Sequence, residues 1–166
     1  MSGPGDFDFL HGEWTVRNRR RTDFLAPGSG WEEFDGTSHC RSLFDGAANV
    51  EEIDMPHLGS KGLTLRLFDR ETDEWSLNWS TSGSGRLLPP VKGSFTGRSP
   101  EVRGEFYGDD TYDGEDVRVR FVWSGISGAT AHWEQAFSAD DGATWVSNWT
   151  MAFTRVTPPG KHGSSG

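Results

Sequence analysis

Asp116-Val117-Arg118-Val119-Arg120-Phe121-Val122-Trp123-Ser124 is followed, after a Gly- and Ser-containing turn, by Thr130-Ala131-His132-Trp133-Glu134-Gln135-Ala136-Phe137-Ser138. Odd positions carry Val117, Val119, Phe121 and Trp123, then Trp133, Gln135 and Phe137; even positions carry Arg118, Arg120, His132 and Glu134. Successive side chains of a strand point to opposite faces, so each segment reads as a strand with one apolar and one polar side. The segment 144–155 continues the pattern, with Trp145, Ser147, Trp149, Met151 and Phe153 expected on one face and Asn148 and Thr150 on the other. A sheet built this way has one face to hide.

Upstream, Leu63, Leu65 and Leu67, then Trp75, Leu77 and Trp79, alternate with more polar neighbours and are expected on the same apolar face. Gly and Asp-Gly clusters punctuate the chain roughly every 8 to 15 residues, a spacing typical of short strands joined by turns. The strands expected are 13–21, 31–44, 47–55, 62–69, 74–81, 92–96, 102–107, 116–124, 130–138 and 144–155. No helical apolar stripe of useful length occurs; residues 6–10 can make one turn, with Phe7, Phe9 and Leu10 plugging an open barrel end. Without helices to cover it, an antiparallel sheet of about ten strands hides its apolar face by curling onto itself, which also removes its edges, or by splitting into a sandwich. The fold class expected is all-β: an up-and-down barrel of about 8–10 strands with a short N-terminal helical turn. Residues 1–156 form one domain, and the Pro-, Gly- and Ser-rich 157–166 are expected to be a disordered tail.

Composition bounds the function. A chain of 166 residues can bury roughly two thirds of its unfolded surface in one domain. Only 33% of it is hydrophobic, so eight Trp and eleven Phe must supply much of the core. The net charge of −9 disfavours a nucleic acid or an anionic membrane surface as partner. Cys40 is the only cysteine, so no intrachain disulfide can form, and a reducing compartment is expected. The first residues lack a basic start followed by an apolar run, and no stretch approaches a membrane span, so the expected location is cytoplasmic.

Two turns feed similar strands. Trp75-Ser76-Leu77-Asn78-Trp79 and Trp145-Val146-Ser147-Asn148-Trp149 share Trp-x-x-Asn-Trp, each after an acidic hairpin turn, which reads as repeated hairpin chemistry or as two walls of one pocket. Ser138-Ala139-Asp140-Asp141-Gly142-Ala143-Thr144-Trp145 resembles the Asp-box of sialidase propellers, where it is a structural hairpin; here it occurs once, without the repeat a propeller needs.

Phe9-Leu10-His11-Gly12-Glu13-Trp14 places a Gly-x-Trp on the first expected strand. It resembles the start of lipocalins and their calycin-superfamily relatives, which implies a Trp closing the barrel's base. Leu65-Arg66-Leu67-Phe68-Asp69, Trp75 to Trp79, Trp133 to Ser138 and Asn148-Trp149-Thr150-Met151-Ala152-Phe153-Thr154-Arg155 are similar to an uncharacterised bacterial family of calycin-like barrels (DUF1579-like). That resemblance covers most of residues 6–156. It implies a lipocalin- or fatty-acid-binding-protein-like barrel and brings no established activity, cofactor or catalytic residue.

The binding candidates follow from the alternation. Trp79, Phe121, Trp133, Trp149 and Met151 would line an apolar pocket, and Gln135 lies among them, where an amide either finds an internal partner, such as a backbone group or Ser147, or orients a ligand. The expected function is binding of a small hydrophobic or aromatic molecule, with no cofactor. A barrel cyclase or isomerase for a hydrophobic, polyketide-like metabolite is the alternative, with Glu134, His132 and Arg120 as acid–base candidates if the polar faces line the cavity; otherwise they form cross-strand charge pairs outside. Haem binding is a further alternative, with His11, His39 or His132 as the axial ligand. No His or Cys pair has metal-ligand spacing. Asp109-Asp110 and Asp113-Gly114-Glu115-Asp116 lack the full calcium-loop pattern and read as a solvated turn. An interaction module whose barrel is filled by its own rings, and a homodimer, stay open.

Overall fold

A computed structural model describes residues 2–156; Met1 and 157–166, the expected tail among them, lie outside the described residues. The strands are β1 (Gly12–Arg21), β2 (Trp31–Leu43), β3 (Ala48–Met55), β4 (Ser60–Asp69), β5 (Glu74–Thr81), β6 (Val91–Thr96), β7 (Arg103–Tyr112), β8 (Glu115–Ser124), β9 (Thr130–Ser138) and β10 (Val146–Arg155). Each pairs antiparallel with its chain neighbours, and β1 pairs with β10 to close a ten-stranded up-and-down barrel. This closed antiparallel architecture fits a calycin-like barrel. Among the described residues the remaining regular structure is three short 3-10 turns, and no helix there is long and apolar enough to cross a membrane.

The expected N-terminal turn forms at Asp8–Leu10 and closes the base. Phe7 and Leu10 are fully buried. Phe7 meets the rings of Trp75 and Phe95 edge-on at 4.9 and 4.8 Å. Burying such a ring stabilises the fold by about 2–3 kcal/mol. The Gly-x-Trp acts at the same place: Trp14 Nε1 donates to the Leu10 carbonyl at 2.8 Å, and Arg155 from β10 lies over the Trp14 ring while donating to the carbonyls of Phe9 and His11. Gly12 has φ +111°, and a Cβ there would sit 2.8 Å from Arg155 Nη1, so the tripeptide needs glycine for both conformation and space.

Three expectations are corrected. Leu63, Leu65 and Leu67 do not face the interior: Leu63 and Leu67 are 40% and 36% exposed, while Thr64 and Arg66 are buried. Directly opposed residues of an antiparallel pair share a face, and Thr64 stands opposite Trp79 and Arg66 opposite Leu77. The inward phase of β5 thus fixes β4, overriding the hydrophobicity of its own leucines.

The second correction is on β10, which begins at Val146 rather than 144 and carries a bulge between Ser147 and Trp149. A bulge adds one residue and breaks strict alternation. Asn148 is therefore fully buried alongside Trp149, while Trp145, ahead of the bulge, lies outside against Tyr107 and under the Arg120 guanidinium.

Third, β7 runs on to Tyr112 and β8 starts at Glu115. Asp113 and Gly114, both with positive φ, make the tight turn between them; this is the two-residue hairpin chemistry of Asp-Gly.

Candidate functional site

The interior narrows from a mouth toward the plugged base. At the mouth a recess of about 430 Å³ is bordered by Phe24 of the β1–β2 loop, Leu58 of the Pro56–Leu58 turn, Leu88 and Pro89 before β6, and Arg20, Asp109 and Asp110 on strand ends. Leu77, Trp79, Phe121, Gln135 and Trp149 line this recess and also a deeper chamber of about 50 Å³, so the two share one wall. A mouth of this size lies within the range of small-molecule sites, and the inner chamber takes a substituent of a few atoms. All six binding candidates, Trp79, Phe121, Trp133, Gln135, Trp149 and Met151, lie on the chamber wall.

Strands β8, β9 and β10 supply the aromatic side. Phe121 and Trp133 meet at 5.0 Å and 74°, and Trp133 and Trp149 at 5.9 Å and 80°. Edge-to-face packing of this kind fixes ring orientation. Trp149 is further held by its Nε1, which donates to Asn18 Oδ1 at 2.9 Å. Opposite it, the Trp79 ring occupies space only a glycine permits: a Cβ at Gly62 would come within 2.0 Å of it.

Gln135 finds its partner on the bulge. Its Nε2 donates to Asn148 Oδ1 at 2.9 Å, and Asn148 Nδ2 donates in turn to the Phe24 carbonyl at 3.3 Å. The partner is neither a backbone group nor Ser147, because the bulge rotates Asn148 inward in the serine's place. This relay ties the cavity wall to the loop that borders the mouth.

The deep end carries charges, among them Arg66, which the alternation of the 63–67 leucines placed on the polar face. Arg66 and Glu51, each 3% exposed, line the chamber with Thr64. Arg66 Nη2 donates to Glu51 Oε1, Nη1 donates to Asn49 Oδ1 at 2.9 Å, and Ser38 Oγ donates to Glu51 Oε2. The guanidinium also sits over the Phe7 and Trp123 rings, at 5.1 and 5.6 Å from their centroids. Cys40 is buried nearby; burial pushes its thiol up to about 12, with the Glu51 charge adding to this and Arg66 opposing it. A thiol held protonated in this way is a poor nucleophile. No local signal marks Arg66 or Glu51, since each sits in a segment that reads as an ordinary amphipathic strand.

The acid–base candidates do not meet the cavity. Arg120, His132 and Glu134 stand on the outward phase of β8 and β9, and Arg120 stacks on Trp145 there. Of the haem-ligand candidates, His39 is outside beside Glu13, and His11 is at the base, its pKa lowered by burial against the opposing pull of Asp8. Neither these nor His132 lines the chamber or the mouth. Ser138, Asp140 and Thr144 form the hydrogen-bonded turn that leads into β10: Thr144 N and Oγ1 both donate to Asp140, and Gly142 N donates to Ser138 Oγ. The Thr144 bonds first, and then one that Ser138 Oγ donates to Asp140 Oδ1 at 2.7 Å, lower the Asp140 carboxyl to about 2. Neither the models of known protein families nor the curated proteins contain a match to this chain.

Proposed function

We propose that this chain binds a small, flat hydrophobic molecule, aromatic in character, inside the barrel, and that it does so as a calycin-like carrier or sensor working in the cytoplasm. The observation that carries this reading is the aromatic wall of Trp79, Phe121 and Trp149, with Gln135 among them, that the mouth and the inner chamber share. Ring faces give affinity for flat apolar groups, and a few placed polar groups give orientation, which is the usual make-up of small-molecule sites. The enzyme reading draws no support from Glu134, His132 and Arg120, which lie outside the cavity.

Calorimetric titration with naphthalene tests the proposal. Saturable binding at one site is expected, weakened at least tenfold in Met151→Trp, whose ring would occupy the chamber. The same affinity in wild type and variant, or no binding in either, overturns the assignment of the site.

A further inference from the structure

We infer that the ligand of the barrel is an uncharged aromatic compound whose acceptor oxygen, of the ketone, ester or amide class and not a carboxylate, enters the inner chamber. This rests on the binding role proposed above and adds the chemistry of the deep end. Two donors on chamber-lining residues are buried without a hydrogen-bond partner among the described residues: Arg66 Nε and Trp123 Nε1. Buried donors are nearly always paired, so two unpartnered donors on residues that line one chamber point to an acceptor atom from outside the chain, reached by a small shift of the lining side chains.

The charge of that acceptor is set by Glu51. Arg66 is already paired with the Glu51 carboxylate, and among the described residues these two are the only charged ones lining the inner chamber. A second carboxylate there would face Glu51 across a low-dielectric space with no cation left to balance it. A carbonyl oxygen accepts from the same donors without adding charge. The rings of Phe121, Trp133 and Trp149 then cover the aromatic body toward the mouth.

Three probes of matched shape separate the possibilities: 2-ethylnaphthalene without an acceptor, 2-acetylnaphthalene with a neutral one, and 2-naphthoate with a charged one. The acetyl compound is expected to bind about tenfold or more tighter than either of the others, the gain typical of satisfying an otherwise unpaired buried donor. Trp123→Phe keeps an aromatic ring, smaller than the indole, and removes Nε1–H, and should reduce the preference for the acetyl over the ethyl compound severalfold while a thermal melt confirms folding. Glu51→Gln removes the competing charge and should raise naphthoate affinity relative to the acetyl compound. Equal affinity for the three probes, or naphthoate binding tightest to wild type, overturns the inference while leaving the binding role intact. Failure of all three to bind overturns the binding role, and the inference with it.

Discussion

The wall formed by β8, β9 and β10 and the wall formed by β3 and β4 face each other across one cavity and are built in opposite ways. In the first, apolar side chains point inward and Arg118, Arg120 and Glu134 point out, as hydrophobic burial alone dictates. In the second, Glu51, Thr64 and Arg66 point inward and Leu63 and Leu67 are left partly in water. The inversion is tolerated because the inward charges are paired and hydrogen-bonded to Ser38 and Asn49 and lie against rings. A barrel interior thus acquires an apolar side that holds a ring and a polar end that can read a substituent.

The largest expected effect falls on the polar wall. Glu51→Ala strands the Arg66 charge and should destabilise the fold by about 3–5 kcal/mol, whereas Glu51→Leu combined with Arg66→Met should return most of that loss. Chemical denaturation of the two variants is the measurement, and equal destabilisation would mean the pair itself, rather than an orphaned charge, sets the cost.

Leucines sharpen the contrast next. Leu77→Ala, inside β5, should cost about 2–4 kcal/mol from lost burial and cavity formation, while Leu67→Ser, outside β4, should stay within about 0.5 kcal/mol. A large loss at Leu67 in thermal melts would place the β4 leucines against a partner surface. On the aromatic wall, Trp149→Phe keeps a smaller ring, drops the bond to Asn18 and leaves that buried acceptor unpaired, so a loss of about 1–3 kcal/mol is expected by the same denaturation measurement.

The smallest effect is a pH dependence at the turn that feeds this wall. The Asp140 carboxyl is lowered from an ordinary 3.8 to about 2 in the fold, so the stability it contributes is fully present above about pH 3.8 and is lost as pH falls through about 2. The stability gap between wild type and Asp140→Ala should therefore shrink between pH 5 and pH 2. A gap that stays constant across that range would show that the Thr144 hydrogen bonds do not favour the ionised form.

The parts of the fold legible in the sequence are those where one residue type carries an unambiguous geometric demand. Val117 to Trp123 and Trp133 to Phe137 alternate with charges that need water, and Asp113-Gly114 supplies the positive φ of a hairpin turn, although the strands it joins are longer than alternation alone delimits them. The six cavity residues were readable for the same reason. Leu63, Leu65 and Leu67 were misread because a period of two says that side chains alternate without saying which set faces in. Asn148 was misread because a bulge leaves no mark in composition.

By itself the sequence determined the number and rough placement of the strands, the need to close the sheet, the plug at residues 6–10 and the aromatic character of one wall. Local patterning suffices for these, because burial of apolar area and turn geometry act over a few neighbouring residues. Tertiary structure alone decided the phase of β4, the Gln135–Asn148 relay and the meeting of Glu51 with Arg66. Each depends on register between strands, and register is set by pairing partners whose choice is visible only when the whole barrel is closed.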